Sequence, residues 1–162
     1  MNIEWFDPIH VEIFDLVFVL SALAFNLLIV GVLAATKKER PELRSTLGAA
    51  FVSLGIPFSI VFVHYISEGR DLRTMVAFGF ILLYIAAELF LDYVLKIDFR
   101  RKALTHVPYI LLEYIALFSL VGISFSIDRT WGWIVSISFW ALLASLIYLY
   151  RGSGKQPAHT LR

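Results

Sequence analysis

Five long runs of apolar residues alternate with short polar connections along the chain, at about 13–35, 47–66, 75–95, 107–127 and 131–150. A helix crosses a hydrocarbon core of about 30 Å with roughly 20 mostly apolar residues, and each run meets that length. The connections carry the breaker and charge signals of membrane exits: Lys37-Lys38-Glu39-Arg40-Pro41, Glu68-Gly69-Arg70-Asp71 and Arg100-Arg101-Lys102. The pattern predicts an all-α fold, an integral membrane bundle of five transmembrane helices, over residues 1–151. Residues 152–162, rich in Gly and Ser, are expected to form a flexible tail.

Basic residues orient the spans, because Lys and Arg are retained on the cytoplasmic side. With the N-terminus outside, eleven basic residues fall inside: Lys37, Lys38, Arg40 and Arg44, then Lys96, Arg100, Arg101 and Lys102, then Arg151, Lys155 and Arg162. Only Arg70, Arg73 and Arg129 fall outside. The expectation is therefore a multi-pass protein of the cell membrane, N-terminus outside and C-terminus cytoplasmic. Ala22-Leu23-Ala24 resembles a signal-peptide cleavage site, but the preceding segment is acidic and the apolar run continues well past it, so a retained span is expected. Trp5, Phe6 and Pro8 suit the outer interface.

Composition narrows the function classes. The 162 residues are 59% hydrophobic and 17% charged, with mean hydropathy +0.79 and net charge +1. Those values exclude disorder and a basic nucleic-acid binder. The lack of cysteine removes disulfides, thiolate metal sites and cysteine nucleophiles. His64 and His106 fall at opposite faces of the membrane under this topology, so they do not share a haem, and no metal or cofactor is expected.

Ionisable groups inside a bilayer are costly and usually face a bundle interior. At 1.5 Å per residue, Glu88 lies on the order of 10 Å and Glu113 on the order of 9 Å from the inner ends of the third and fourth spans. Ser53 and Asn26 come to nearly the same depth, roughly 10 and 13 Å. Four of the five spans thus place a polar group in one layer. Tyr84, Glu88, Asp92 and Lys96 follow an i, i+4 helical stripe in which Asp92 pairs with Lys96. His106, Tyr109 and Glu113 share a face of the fourth span, with Pro108 in its first turn. Both spans carry Tyr-Ile-x-x-Glu, which chance or a worn inverted repeat explains.

A second polar group gathers at the outer surface: His10, Glu12, Asp15, His64, Tyr65 and Asp128. It reads as a wet interface or as an outer proton or cation entrance containing His64 and Asp15.

Three functions fit these residues. Ion- or proton-linked transport of a small solute needs intramembrane acids, neutral ligands and a break in helix regularity. Glu88, Glu113 and Asp92 provide the acids, Asn26, Ser53, Tyr84 and Tyr109 the neutral ligands, and Pro57 the break. A membrane-embedded enzyme or binding protein for a lipid or isoprenoid would use the two acids as acid and base, with His106 and Arg100–Lys102 on a phosphate headgroup. That reading lacks a His-Glu-x-x-His, a Gly-x-Ser-x-Gly or a His-box. A non-enzymatic subunit or scaffold would work through the small-residue pairs Ala49/Ser53, Gly55/Ser59, Gly122/Ser126 and Ala141/Ser145. The partners expected are the lipid bilayer, a second copy in a homodimer, and a small solute, cation or lipid ligand. Transport is the reading carried forward, with catalysis the less expected activity.

Overall fold

The computed structural model describes residues 12–95 and 103–152, excluding the side chains of 92, 93, 103–106 and 149–152. Every regular element among these residues is helical: α1 (Ile13–Lys37), α2 (Pro41–Ser53), α3 (Gly55–Ser67), α4 (Leu72–Glu88), a π-helical segment (Leu89–Val94), α5 (Ala103–Ile127) and α6 (Arg129–Gly152). Five helices are long and apolar enough to cross a membrane: Ile13–Lys37, Pro41–Ser67, Leu72–Leu91, Val107–Ile127 and Arg129–Tyr148. The five expected spans are recovered, and α6 runs through Gly152, where a tail was expected to begin. Trp5, Phe6, Pro8, His10, Lys96, Arg100–Lys102 and residues 153–162 lie outside the described residues.

The outward faces of these helices are as apolar as the inside. Val63, Ile137 and Trp140 are 65%, 67% and 66% exposed. A monomer in water rarely shows contiguous apolar surface of this extent, whereas helices, which satisfy their own backbone groups, are suited to a hydrocarbon solvent. The fold is that of a polytopic, all-helical membrane protein.

Alternating connections define two ends, called here the Arg70 end (the start of α1 and the α3–α4 and α5–α6 turns) and the Lys37 end. The helices pack in sequence, and α1 also packs on α6 to close the bundle. Asn26 Nδ2 donates to Ser138 Oγ (2.6 Å) across that α1–α6 seam. At the Lys37 end, Lys37 Nζ donates to the Tyr148 carbonyl (3.0 Å) and lies 3.3 Å from the centre of its ring.

Three details of regularity differ from expectation. The second span breaks at Leu54 rather than at Pro57. Proline clashes with the carbonyl four residues earlier, here that of Ser53, so the chain restarts as a new helix at Gly55. Pro57 then sits in a first turn, where a missing N–H costs little. The third span leaves α-geometry after Glu88, so the stripe expected through Asp92 and Lys96 loses its four-residue register there. Helix α5 begins at Ala103, which moves Pro108 from the expected first turn into the helix.

Candidate functional site

Two polar clusters occupy opposite ends of the bundle, and an aromatic column separates them. The first lies toward the Lys37 end, between α4 and α5. Tyr84 and Tyr109 bring their hydroxyls to 3.0 Å, and Tyr109 donates a short hydrogen bond to Glu88 Oε2. A phenol has one proton. Because that of Tyr109 points at Glu88, Tyr84 is the donor in the contact between the two tyrosines. Glu113, one helical turn beyond Tyr109, is close enough to interact electrostatically with both rings' hydroxyls. Depth along the spans predicts one layer for Glu88 and Glu113, and helical spacing puts Tyr84 on the face of Glu88 and Tyr109 on that of Glu113; the structure brings these four side chains together.

Backbone geometry singles out the same place. Glu88 is the last residue of α4, and the π-helical segment starts at the next residue, closing with Leu95 N–H to the Phe90 carbonyl at 2.9 Å. Wide π turns occur mostly as short insertions within α-helices and are frequent at functional sites. The sequence carries no proline or glycine there to announce it.

The other proposed neutral ligands stand apart. Ser53 is exposed and donates to the Ala50 carbonyl of its own helix (2.7 Å). Asn26 is buried, but it donates to Ser138, and its Oδ1 lacks a hydrogen-bond partner among the described residues. The side chain of Asp92, and that of His106, lie outside the described residues.

The second cluster forms at the Arg70 end and is built by a turn. Helix α3 ends with Gly69 in the left-handed region (φ 69°), and Gly69 N–H bonds Ile66 O while Arg70 N–H bonds Tyr65 O. This is a Schellman cap, which needs glycine's tolerance of positive φ. It folds Arg70 back over the helix end, with its guanidinium carbon 4.2 Å from the centre of the Tyr65 ring. Arg70 Nη2 donates to Asp15 Oδ1 (3.1 Å) and Arg70 Nε to Glu68 Oε2 (3.1 Å). Tyr65 OH also donates to Asp15 Oδ1, at 2.5 Å. His64 Nε2 lies 3.1 Å from Glu68 Oε1 and 4.0 Å from Glu12 Oε2, with Phe14 stacked on its ring at 3.7 Å.

Electrostatics at this end follow from the pairing. Desolvation pushes the Glu68 carboxyl up, but the hydrogen bond from Arg70 and the fields of His64 and Arg70 outweigh it and hold the group below its usual range. Desolvation alone would lower Arg70; the Asp15 charge and the bond to Glu68 reverse this and raise it. Asp71 is lowered by the Thr74 hydroxyl and Asp128 by the Thr130 backbone N–H, each at a helix start. Glu68 and Arg70 are the members that the sequence pattern had not assembled. The four-residue spacing of His64 and Glu68 was the available signal for one of them.

Between the clusters stand Phe18, Phe58, Phe78 and Phe25. Tyr65 meets Phe78 at 5.8 Å, Phe78 meets Phe18 at 5.4 Å, Phe58 meets Phe25 at 6.2 Å, and Phe25 meets Tyr84 at 5.8 Å. The four phenylalanines are fully buried. The column therefore joins the clusters through packed rings with no side-chain polar atom of their own.

Comparison with models of protein families, with curated proteins and with solved structures finds no significant match to this chain.

Proposed function

We propose that the protein links movement of a proton or small cation to transport of a small solute, with Glu88 and Glu113 as the exchangeable acids, in a cell membrane with its N-terminus outside. The observation that carries this reading is the hydrogen-bonded series Tyr84–Tyr109–Glu88 at the start of the π-helical segment. Donors in this series all point toward Glu88. Protonation of Glu88 reverses them: Glu88 then donates to Tyr109, Tyr109 to Tyr84, and the Tyr84 hydroxyl turns its proton toward the field of Glu113. A proton taken up at one acid is thereby communicated to the other without either carboxylate crossing the bundle.

Access is controlled at the aromatic column. The break at Leu54 lies between Phe51, which packs on Tyr84, and Phe58, which packs on Phe18 and Phe78. Tilting α3 about Leu54 withdraws Phe58 from the column while α2 stays on the acid layer, a hinge of the kind that gates sites in moving proteins.

The test is proton flux into liposomes loaded with a pH-sensitive dye, under an imposed pH gradient with the membrane potential clamped. The wild-type chain is expected to dissipate the gradient faster than empty liposomes, and Glu88→Gln and Glu113→Gln to lose most of that rate. Equal rates for wild type and the folded double variant would overturn the proposal.

One observation favours the lipid-ligand reading as the alternative. A groove of about 820 Å³ runs between α4 and α5 toward the Arg70 end, with Val76, Ala77, Phe80 and Phe118 on its walls and Asp71 and Arg73 at its rim. Lipid that copurifies with the wild type and is lost on filling the groove with Gly122→Phe would support that reading.

A further inference from the structure

We propose that Glu12, His64 and Glu68 bind a divalent first-row transition ion of the zinc type at the Arg70 end. This site is separate from the acid layer and does not depend on the transport reading. One ligand atom from each residue is available, and the three atoms lie within 4.8 Å of one another. Zinc-type ions take His nitrogen and carboxylate oxygen at about 2.0–2.2 Å, so closing the three groups around one ion needs only small side-chain movements.

The imidazole carries the argument. His64 Nε2 is buried at the atom level, although its side chain is 26% exposed, and among the described residues it has no hydrogen-bond partner, with Glu68 Oε1 in ion-pair range at 3.1 Å. The nitrogen is near carboxylate oxygens but not aligned with them as a donor. A metal ion placed among the three groups supplies the missing partner. Phe14, stacked on the imidazole with ring planes 20° apart, holds its orientation.

The surroundings divide the labour as a metal site requires. Glu68 gives Oε2 to Arg70 Nε and leaves Oε1 toward His64, so the guanidinium orients the ligand from behind. Asp15 is engaged by Tyr65 and Arg70. Across Glu12, Asp15, Glu68 and Arg70, three carboxylates against one guanidinium leave two negative charges, which a divalent ion cancels. One nitrogen with two oxygens favours zinc, manganese or iron(II) over calcium and magnesium, which prefer all-oxygen sites. The exposure of Glu12 leaves the remaining coordination positions to water. The ion would clamp the start of α1 to the end of α3, next to the Gly69–Arg70 turn.

The experiment uses the full chain in mild detergent, stripped with chelator and titrated with ZnCl₂ by calorimetry and with CoCl₂ by visible absorption. One high-affinity Zn²⁺ per chain is expected, with a rise in Tm on binding. Affinity is expected to fall at least about tenfold in His64→Gln and Glu68→Gln, and to persist in His106→Ala and His159→Ala. The cobalt spectrum of the wild type gives a readout that needs no variant to fold. Absence of Zn²⁺ and Co²⁺ binding to the wild type, or undiminished binding in a folded His64→Gln/Glu68→Gln chain, would overturn the proposal.

Discussion

Arg70 reaches back fifty-five residues to hold Asp15 at two points, with Nη2 3.1 Å from Oδ1 and 3.4 Å from Oδ2. The Asp15 side chain is 11% exposed, so this pair is largely withdrawn from solvent. Removing one partner of such a pair strands a charge, which costs more than the pair contributes net. Asp15→Ala and Arg70→Ala are each expected to destabilise by about 2–3 kcal/mol. The double variant should lose clearly less than the sum. A double-mutant cycle on detergent unfolding measures this, and strict additivity would mean that the two residues do not act together.

Tyr109 hydrogen-bonds both Tyr84 and Glu88 and so sits at the middle of the series. Tyr109→Phe breaks the series at its middle and removes the Tyr109 hydroxyl bond to Glu88. A hydrogen bond to a charged group is worth about 1.5–3 kcal/mol, so proton flux should drop by roughly tenfold or more. Tyr84→Phe keeps the Tyr109–Glu88 bond and should cost less. Flux in dye-loaded liposomes decides the order, and an equal or larger loss in Tyr84→Phe would remove Tyr109 from the centre of the relay.

Spans and acid layer were legible because each depends on a count along one helix. Twenty apolar residues mark a crossing, and the distance from a span's end sets the depth of Glu88 and Glu113. Glu12, Asp15, His64 and Tyr65 were legible as one surface group, but the place of Arg70 among them was not. It depends on a Schellman turn that carries Arg70 from a loop onto Asp15, a pairing with no sequence periodicity. Ser53 shows the converse limit: its depth matched the layer, but rotation about the helix axis leaves it exposed. The π-helical segment after Glu88 likewise has no breaker residue to predict it.

Phe58 tests the aromatic column as a barrier. It is fully buried and packs on Phe18, Phe25 and Phe78. Truncation to Ala leaves a cavity between the two polar clusters, at a cost of about 3–5 kcal/mol. If the column blocks the path, Phe58→Ala should raise the proton leak of reconstituted vesicles above wild type despite lower stability. An unchanged leak in folded protein would place the barrier elsewhere.

Gly132 and Gly122 look alike in sequence but should respond oppositely to alanine. A Cβ on Gly132 would stand 2.3 Å from Phe125 Cδ1 and 2.4 Å from its Cγ, the rigid root of the ring. Overpacking of this kind costs about 1–3 kcal/mol, and loss of the Phe125–Trp133 edge contact (5.6 Å) adds to it. A Cβ on Gly122 meets nothing within 4 Å, so Gly122→Ala gains helix propensity at no steric cost. Thermal unfolding in detergent should show a lowered Tm for Gly132→Ala and an equal or raised one for Gly122→Ala. A Gly132→Ala chain as stable as wild type would mean that the α5–α6 hairpin is not closely packed there.

Asp71 gives the bundle a pH dependence whose sign follows from its surroundings. The Thr74 hydroxyl donates to Asp71 Oδ1 at 2.5 Å, and the N–H groups at the start of α4 add to the effect, so the folded carboxyl sits below its ordinary value of about 3.9. A depressed acid binds its proton more readily in the unfolded chain. Its contribution to stability is therefore complete above the unfolded pKa, and it is lost as pH falls through the folded one. Asp71→Asn keeps a residue suited to the helix start and removes only the charge. The wild type should exceed Asp71→Asn by a constant margin from about pH 5 to 7, and this margin should shrink as pH drops below about 4. Tm measured across that range for both chains isolates the group from the other acids, which titrate in each. A margin that grows toward acid pH would reverse the sign and mean that the charged form of Asp71 is disfavoured in the folded protein.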